Sequence, residues 1–226
     1  MNITPETYVR WRESALGTLT EQLEQRAIFS LAGDPSGLRV LDIGCGDGAY
    51  AIEASQRGGK VFGLDRSHPM LEAARTRAAS AGAGFRWCQG AAQSLPFRDD
   101  SFDLVLAVTA LCWIREPVVA LKEMNRVLRP GGAVIVGELG RWSLWALARR
   151  FRGWLGASTW KRAHFWTAKE LREFLVGAGL RPGDVRGAVY YPPSEILSRL
   201  MGCIEGACAR LGPYGAAFIA VRSTKE

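Results

Sequence analysis

Residues 38–48 read Leu-Arg-Val-Leu-Asp-Ile-Gly-Cys-Gly-Asp-Gly, and no other stretch constrains the fold as much. An apolar strand carrying Val40, Leu41 and Ile43 runs straight into Gly44, Gly46 and Gly48. A helix-forming run, Ala49 to Arg57, follows. Glycine permits tight backbone bends and lets a ligand approach the main chain. A helix start offers unpaired N–H groups. The pattern therefore predicts a strand–turn–helix unit, either a sharp turn alone or one with a ligand lying across the strand tip. The spacing is G-x-G-x-G, so the dinucleotide fingerprint G-x-G-x-x-G is not matched. No G-x-x-x-x-G-K-[ST] occurs, so a nucleoside triphosphate cradle is unsupported. The next apolar run, Lys60–Leu64, ends in Asp65. That carboxylate lies about 20 residues past the glycines, a position from which an acidic side chain accepts hydrogen bonds from ribose hydroxyls. Ser67 supplies the helix cap that Asp65 would otherwise provide.

The rest of the chain alternates in the same way. Strands are expected at Arg39–Ile43, Lys60–Leu64, Phe85–Cys88, Asp103–Val108 and Ala133–Gly137. Helices are expected at Ala49–Arg57, His68–Ala81, Pro117–Leu128 and Thr167–Ala178. An amphipathic helix from Leu16 to Leu31 precedes them. Two late strands, near Gly183–Tyr190 and Ala216–Arg222, bracket a helix near Ser194–Leu211. Strands alternating with helices imply a parallel sheet with right-handed crossovers. A chain of 226 residues, 48% hydrophobic, suffices for one sizeable core. No run of 18 or more apolar residues occurs, so no spanning helix is expected. Met1–Pro5 lacks the basic start and apolar core of a secretory signal. The cysteines at 45, 88, 112, 203 and 208 form no C-x-x-C pair, which argues against a disulfide framework or zinc ribbon. No metal is expected, and a reducing cytoplasm fits best. The net charge of +7 admits anionic partners without requiring them.

A series of short segments follows the glycine run and Asp65 in order: Leu95-Pro96-Phe97, Ser101-Phe102-Asp103 and Arg126-Val127-Leu128-Arg129-Pro130-Gly131-Gly132. Over residues 38–139, and more weakly to 180, the chain resembles the class I S-adenosylmethionine (SAM)-dependent methyltransferases of the small-molecule type 11 group. The resemblance implies a Rossmann-like α/β fold with a seven-stranded, mostly parallel sheet and an antiparallel last strand. It implies SAM as cofactor. Residues 1–226 then form one domain, with 1–32 as an N-terminal helical cap and 140–166 plus 190–214 as substrate-cap insertions. By the same resemblance, Gly44, Cys45 and Gly46 approach the amino-acid end of SAM and Asp42 holds its ammonium. Asp65 binds the ribose, and Leu64 and Met70 flank the adenine, although core roles suit both equally. Ala91 stands where relatives carry an adenine-binding carboxylate. The N–H of Ala92, the side chain of Gln93 or a water is left to replace it. The end of strand four, Val108, Thr109 and Ala110, faces the methionine moiety, and Tyr8 and Arg12 suit a cap over the cofactor, with a surface role open for Arg12.

The acceptor side is less legible. Residues 140–166 hold five of the eight tryptophans interleaved with arginines and lysine. Trp145, Ala148, Phe151 and Leu155 fall near one helical face. The segment suits a helix packed on the sheet, a lid over the site, or a peripheral membrane contact through 142–155. Nucleic acid is disfavoured because no basic tail accompanies it. Candidate acceptor-binding residues are Cys112, Trp113, Glu138, Arg141 and Trp142. Candidate bases are His164, Tyr190, Tyr191 and Cys112, with Cys112 equally suited to a buried apolar role. The expected activity is in-line methyl transfer to a small molecule. A membrane-borne quinone or lipid acceptor is one alternative. The other is a non-catalytic SAM-binding module that acts through partners.

Overall fold

The structure is a computed structural model and describes residues 5–226 apart from 157, 202–204 and 211. Expectations for residues 1–4, Cys203 and the centre of the Ser194–Leu211 helix lie outside the described residues. Two helices open the chain, α1 (Pro5–Glu13) and α2 (Ala15–Ala32). The Ser14 hydroxyl accepts the Gly17 N–H and starts α2. Gly17 is required at this elbow, because a Cβ there would stand 2.0 Å from the Trp11 carbonyl oxygen.

The central alternation is β1 (Arg39–Ile43), α3 (Ala49–Gln56), β2 (Lys60–Asp65), α4 (His68–Ser80), β3 (Arg86–Gln89), β4 (Phe102–Val108), α5 (Pro117–Val127) and β5 (Leu128–Leu139). After it come α6 (Leu144–Trp154), α7 (Ser158–Arg162), α8 (Ala168–Gly177), β6 (Arg181–Ala188), α9 (Glu195–Met201), α10 (Glu205–Ala209) and β7 (Phe218–Thr224). The seven strands lie in the order β3-β2-β1-β4-β5-β7-β6. The first five pair in parallel, while β7 runs antiparallel to both β5 and β6. This is the fold class the sequence implies.

The period of two within each strand sorts the core into two layers. Leu41, Ile43, Val105 and Ala107 face one side, where α5 and α8 contribute Leu121, Met124, Leu171 and Leu175. Val40, Leu104 and Leu106 face the other, against Ile28 and Phe29 of α2 and Ala51 of α3. Pro117 sits in the first turn of α5, and a reciprocal Thr167–Glu170 capping box starts α8. One expectation needs correction. Strand β5 begins at Leu128, not Ala133, because Leu128 pairs with Phe102 across a register shift and Gly131 donates its N–H to Lys225. Of the late helix, the described residues show α9 and α10.

The layer between the sheet and α2 packs tightly at Gly137. A Cβ there would lie 2.4 Å from the Phe218 ring and 2.8 Å from Ile28. Gly137→Ala should therefore destabilise the protein by about 1–3 kcal/mol through overpacking. A calorimetric scan should place its melting temperature roughly 2–10 °C below that of the parent.

Candidate active site

In a parallel sheet, ligands collect where neighbouring strands end and their connections diverge. Here β1, β2 and β4 end side by side. Gly44 and Cys45 donate their N–H groups to the Leu64 carbonyl at 2.7 and 3.0 Å, which folds the glycine loop across the end of β2. The Asp65 carboxylate fastens that loop. One oxygen accepts the Gly46 N–H at 2.9 Å and the other the Ser67 N–H at 2.8 Å. Gly44 has φ +67°, and a Cβ on it would meet the Ala110 side chain at 2.8 Å. The result is a cleft of about 180 Å³.

Gly44, Leu64, Asp65, Ala92, Gln93 and Thr109 line this cleft, together with Trp113. Ala110, at the end of β4, lines it as well, and sequence reasoning omitted Ile43, Arg66, Gly90 and Ile114, which line it too. Asp42 does not line it; next to Ile43 on β1 it is buried, with a backbone N–H from Ala51 on its carboxylate and, among the described residues, no hydrogen-bond partner for its Oδ2 atom. Burial and the neighbouring Asp65 push the Asp42 carboxyl up to about 7. A buried carboxylate oxygen without a partner, one residue along β1 from the cleft lining, suits a bound cation such as an ammonium. Cys45, Gly46, Met70, Ala91 and Val108 do not line the cleft. The Cys45 thiol is buried, and burial raises its pKa well above the ordinary value.

A second cavity, about 260 Å³, lies beside the first. Thr109 and Trp113 line both. Thr109 is held at φ +48°, rare for a β-branched residue, with its N–H bonded to the Gly137 carbonyl at 2.7 Å. The second cavity is walled by Tyr8 and Trp11 of α1, Glu24 of α2, and Trp145, Ala148, Arg149 and Arg152 of α6, with Trp160 of α7. The Arg149 guanidinium sits between two indole faces, 4.9 Å from the Trp145 centroid and 4.8 Å from that of Trp160. Glu24 accepts a hydrogen bond from the Tyr50 hydroxyl at 3.4 Å. Burial raises the Glu24 carboxyl to about 7, with Arg149 opposing the rise. Burial lowers the Arg149 guanidinium to about 10, with Glu24 opposing the fall. The Tyr8 phenol is pushed upward by burial and by Glu24.

Several sequence candidates lie elsewhere. Arg12 is neither on the surface nor free to reach a ligand: it is buried and ion-paired with Asp47 and Glu21. Glu138 is fully buried, and its two oxygens accept the N–H groups of Leu111 and Cys112 at 2.6 and 3.2 Å. It therefore braces the wall behind the cavities. Cys112 is likewise buried, its thiol on the Thr109 carbonyl. Arg141 bonds the Phe165 carbonyl and Glu170 and contacts His164, latching the chain ends of the 140–166 segment. Trp142 is exposed. Tyr190 donates its hydroxyl to Gly212, and the Tyr191 hydroxyl shares a hydrogen bond with Thr20. Of the 190–214 segment, only Pro193 among the described residues lines the second cavity.

Within 140–166, Trp145 turns inward and donates its indole N–H to the Tyr191 carbonyl at 2.9 Å. The single face expected for this helix is split. Trp145 and Ala148 face the cavity, whereas Leu147, Phe151 and Trp154 are 66%, 57% and 77% exposed.

Glu24 escaped sequence reasoning, although a signal existed. It stands four residues after Thr20 and four before Ile28, on the apolar stripe of α2, where a carboxylate is out of place.

Residues 41–136 match the methyltransferase domain family. A ubiquinone biosynthesis O-methyltransferase of Parvibaculum lavamentivorans is 31% identical over 202 residues, covering 86% of this chain and 76% of the relative. A demethylmenaquinone methyltransferase of Staphylococcus aureus is 40% identical over 117 residues, half of this chain and 48% of the relative. Among solved structures, a SAM-dependent methyltransferase of Thermotoga maritima superposes with a TM-score of 0.75 at 28% identity, covering 98% of this chain and 95% of that one. Taken with the cleft over the glycine loop and the unpartnered Asp42 oxygen one residue from its lining, these likenesses make the chain a member of the class I SAM-dependent methyltransferases, type 11 group, with SAM as its cofactor.

Proposed function

We propose that the protein transfers the methyl group of SAM to a planar, largely apolar aromatic molecule held in the tryptophan-walled cavity. The single observation that carries this reading is the shared wall: Thr109 and Trp113 line both the cleft and the second cavity. A donor in one and an acceptor in the other meet there. The relatives named for ubiquinone and demethylmenaquinone chemistry support a flat ring as acceptor.

When bound, SAM supplies a methyl group already activated by a cationic sulfur. The protein's own work is then binding, orientation and exclusion of water. Asp42 holds the ammonium of the cofactor through its unpartnered oxygen. Asp65, each oxygen still having a free lone pair, takes the ribose hydroxyls. The Ala92 N–H and Gln93 serve the adenine in place of the carboxylate that Ala91 lacks. Trp113 and Trp160, with ring centroids 6.2 Å apart and planes tilted by 43°, pack against each other and present one aromatic wall to the acceptor.

A second reading concerns where the acceptor comes from. The outward face of α6 presents Leu147, Phe151 and Trp154 beside Arg150, while its inward face walls the cavity. This arrangement favours a membrane-borne quinone or lipid-like acceptor reached from a bilayer surface. No helix among the described residues is long and apolar enough to cross a membrane.

Two measurements test these readings. S-adenosylhomocysteine should bind saturably in calorimetry, and its affinity should rise as pH increases through about 7, because ionised Asp42 is the form that holds an ammonium. At pH 6.5, titrations in buffers of different ionisation enthalpy should reveal proton release. Gly44→Ala should abolish the binding, both through its φ and through contact with Ala110. In liposome co-sedimentation with anionic vesicles, the parent should pellet and a Leu147→Glu, Phe151→Glu double variant should stay in the supernatant. Equal behaviour of the two would remove the membrane reading and leave the first intact.

A further inference from the structure

Glu24 and Arg149 are the two charged groups whose environment in the second cavity is hardest to explain by packing alone. Glu24 sits on the apolar stripe of α2, where leucine or alanine would serve the core better. Among the described residues its side chain accepts one hydrogen bond, from Tyr50 at 3.4 Å. Arg149 is held between Trp145 and Trp160, and among the described residues no carboxylate lies within ion-pair distance of it. Both side chains line the cavity that Thr109 and Trp113 share with the cofactor cleft.

We propose that Glu24 is the proton acceptor of the reaction and that the cavity selects an aromatic hydroxyl, with Arg149 holding the oxygen once its proton has left. This rests on the methyltransferase reading above and adds the acceptor atom and the base. An amine that binds as a cation would meet the Arg149 guanidinium, whereas an oxygen that becomes anionic is stabilised by it. In the step itself, the acceptor O–H bond breaks and its proton joins a Glu24 oxygen. The electron pair left on the acceptor oxygen forms the new bond to the methyl carbon, and the former carbon–sulfur pair stays on sulfur. Glu24, then neutral, returns the proton to water at the cavity mouth.

The groups facing Glu24 are Glu21 on its own helix, Tyr8 from α1, Tyr50 from α3, Arg149 from α6 and Tyr191 after β6. Burial outweighs Arg149 and keeps the Glu24 carboxyl near 7, which matches a base that works at neutral pH.

The test compares 2-naphthol with 2-methoxynaphthalene, which has the same ring but no proton to give. Binding of each is measured by calorimetry with saturating S-adenosylhomocysteine, on the parent and on Glu24→Leu and Glu24→Gln. The parent should bind 2-naphthol at least tenfold more tightly, and this preference should grow between pH 6 and pH 8. Glu24→Leu should bind both probes alike. Glu24→Gln, which still offers an acceptor oxygen, should keep a preference that no longer changes with pH. An undiminished preference in Glu24→Leu, or a pH-dependent one in Glu24→Gln, overturns the proposal. So does a parent that binds S-adenosylhomocysteine but does not favour 2-naphthol. Should Glu24→Leu fail to fold, the pH response of Glu24→Gln decides. Failure of the parent to bind S-adenosylhomocysteine instead overturns the methyltransferase reading, and this proposal with it.

Discussion

The ion pair between Arg12 and Asp47 is the contact on which the arrangement of the site depends. Asp47 belongs to the glycine loop after β1, and Arg12 ends the helix that caps it. Both are buried, and the pair extends to Glu21 and Arg77. Breaking a buried pair by removing one partner leaves an uncompensated charge and costs about 3–5 kcal/mol. The consequence here is geometric. With Arg12 anchored, α1 must lie over the loop, which brings Tyr8 and Trp11 to the second cavity. The close crossing at Gly17 then sets the direction of α2 and places Glu24 opposite α6. One ion pair thus joins the loop that shapes the cofactor cleft to the helices that shape the neighbouring cavity.

The two cavities differ in physical character, and the difference follows from what builds each. The cofactor cleft is made mainly of backbone: glycine amides, the carbonyl of Leu64 and the ends of three strands. Its carboxylate Asp65, and Asp42 next to the lining, are fixed by burial and by main-chain N–H groups. The second cavity is made mainly of side chains from four helices, with four tryptophans in its lining and one carboxylate, Glu24, against Arg149 and Arg152. Changing its residues leaves the sheet untouched, so its selectivity can vary on a constant scaffold. Thr109, strained at the end of β4, belongs to both. Its conformation is held by the Gly137 carbonyl and, one step further on, by Glu138 bracing Leu111 and Cys112. Glu138, expected to touch an acceptor, accepts two backbone N–H groups behind the wall that the two cavities share.

Much of the fold was legible in the sequence because its signals are local. β1 is where the apolar run predicted it, and α3, α4 and α8 begin at the expected caps or glycines. The cofactor cleft was legible for the same reason: Gly44, Leu64, Asp65, Ala92, Gln93 and Thr109 lie at strand ends, and strand ends in a parallel sheet converge. The acceptor side was not. His164, Tyr190 and Tyr191 drew attention as reactive residue types; in the fold their polar atoms meet Arg141, the Gly212 carbonyl and Thr20. Reactive chemistry in a sequence carries no address when the segment bearing it has no periodic partner. Glu24 carried an address, its place on an apolar helical stripe, but not a visible reason to be there.

The sequence by itself determined the alternating α/β order, the turn at Gly44–Gly48 and the carboxylates at the ends of β1 and β2. These follow from period, glycine spacing and strand length, which act over a few residues. Only the tertiary structure decided what faces the cofactor cleft across Thr109 and Trp113. Glu24 and Arg149 are 125 positions apart in sequence, and only the packing of α2 and α6 around a common cavity brings them together. The same packing split the aromatic helix into an inward and an outward face. Its sequence offers apolar residues on both, and the direction from which the rest of the chain approaches chose which of them the protein buries.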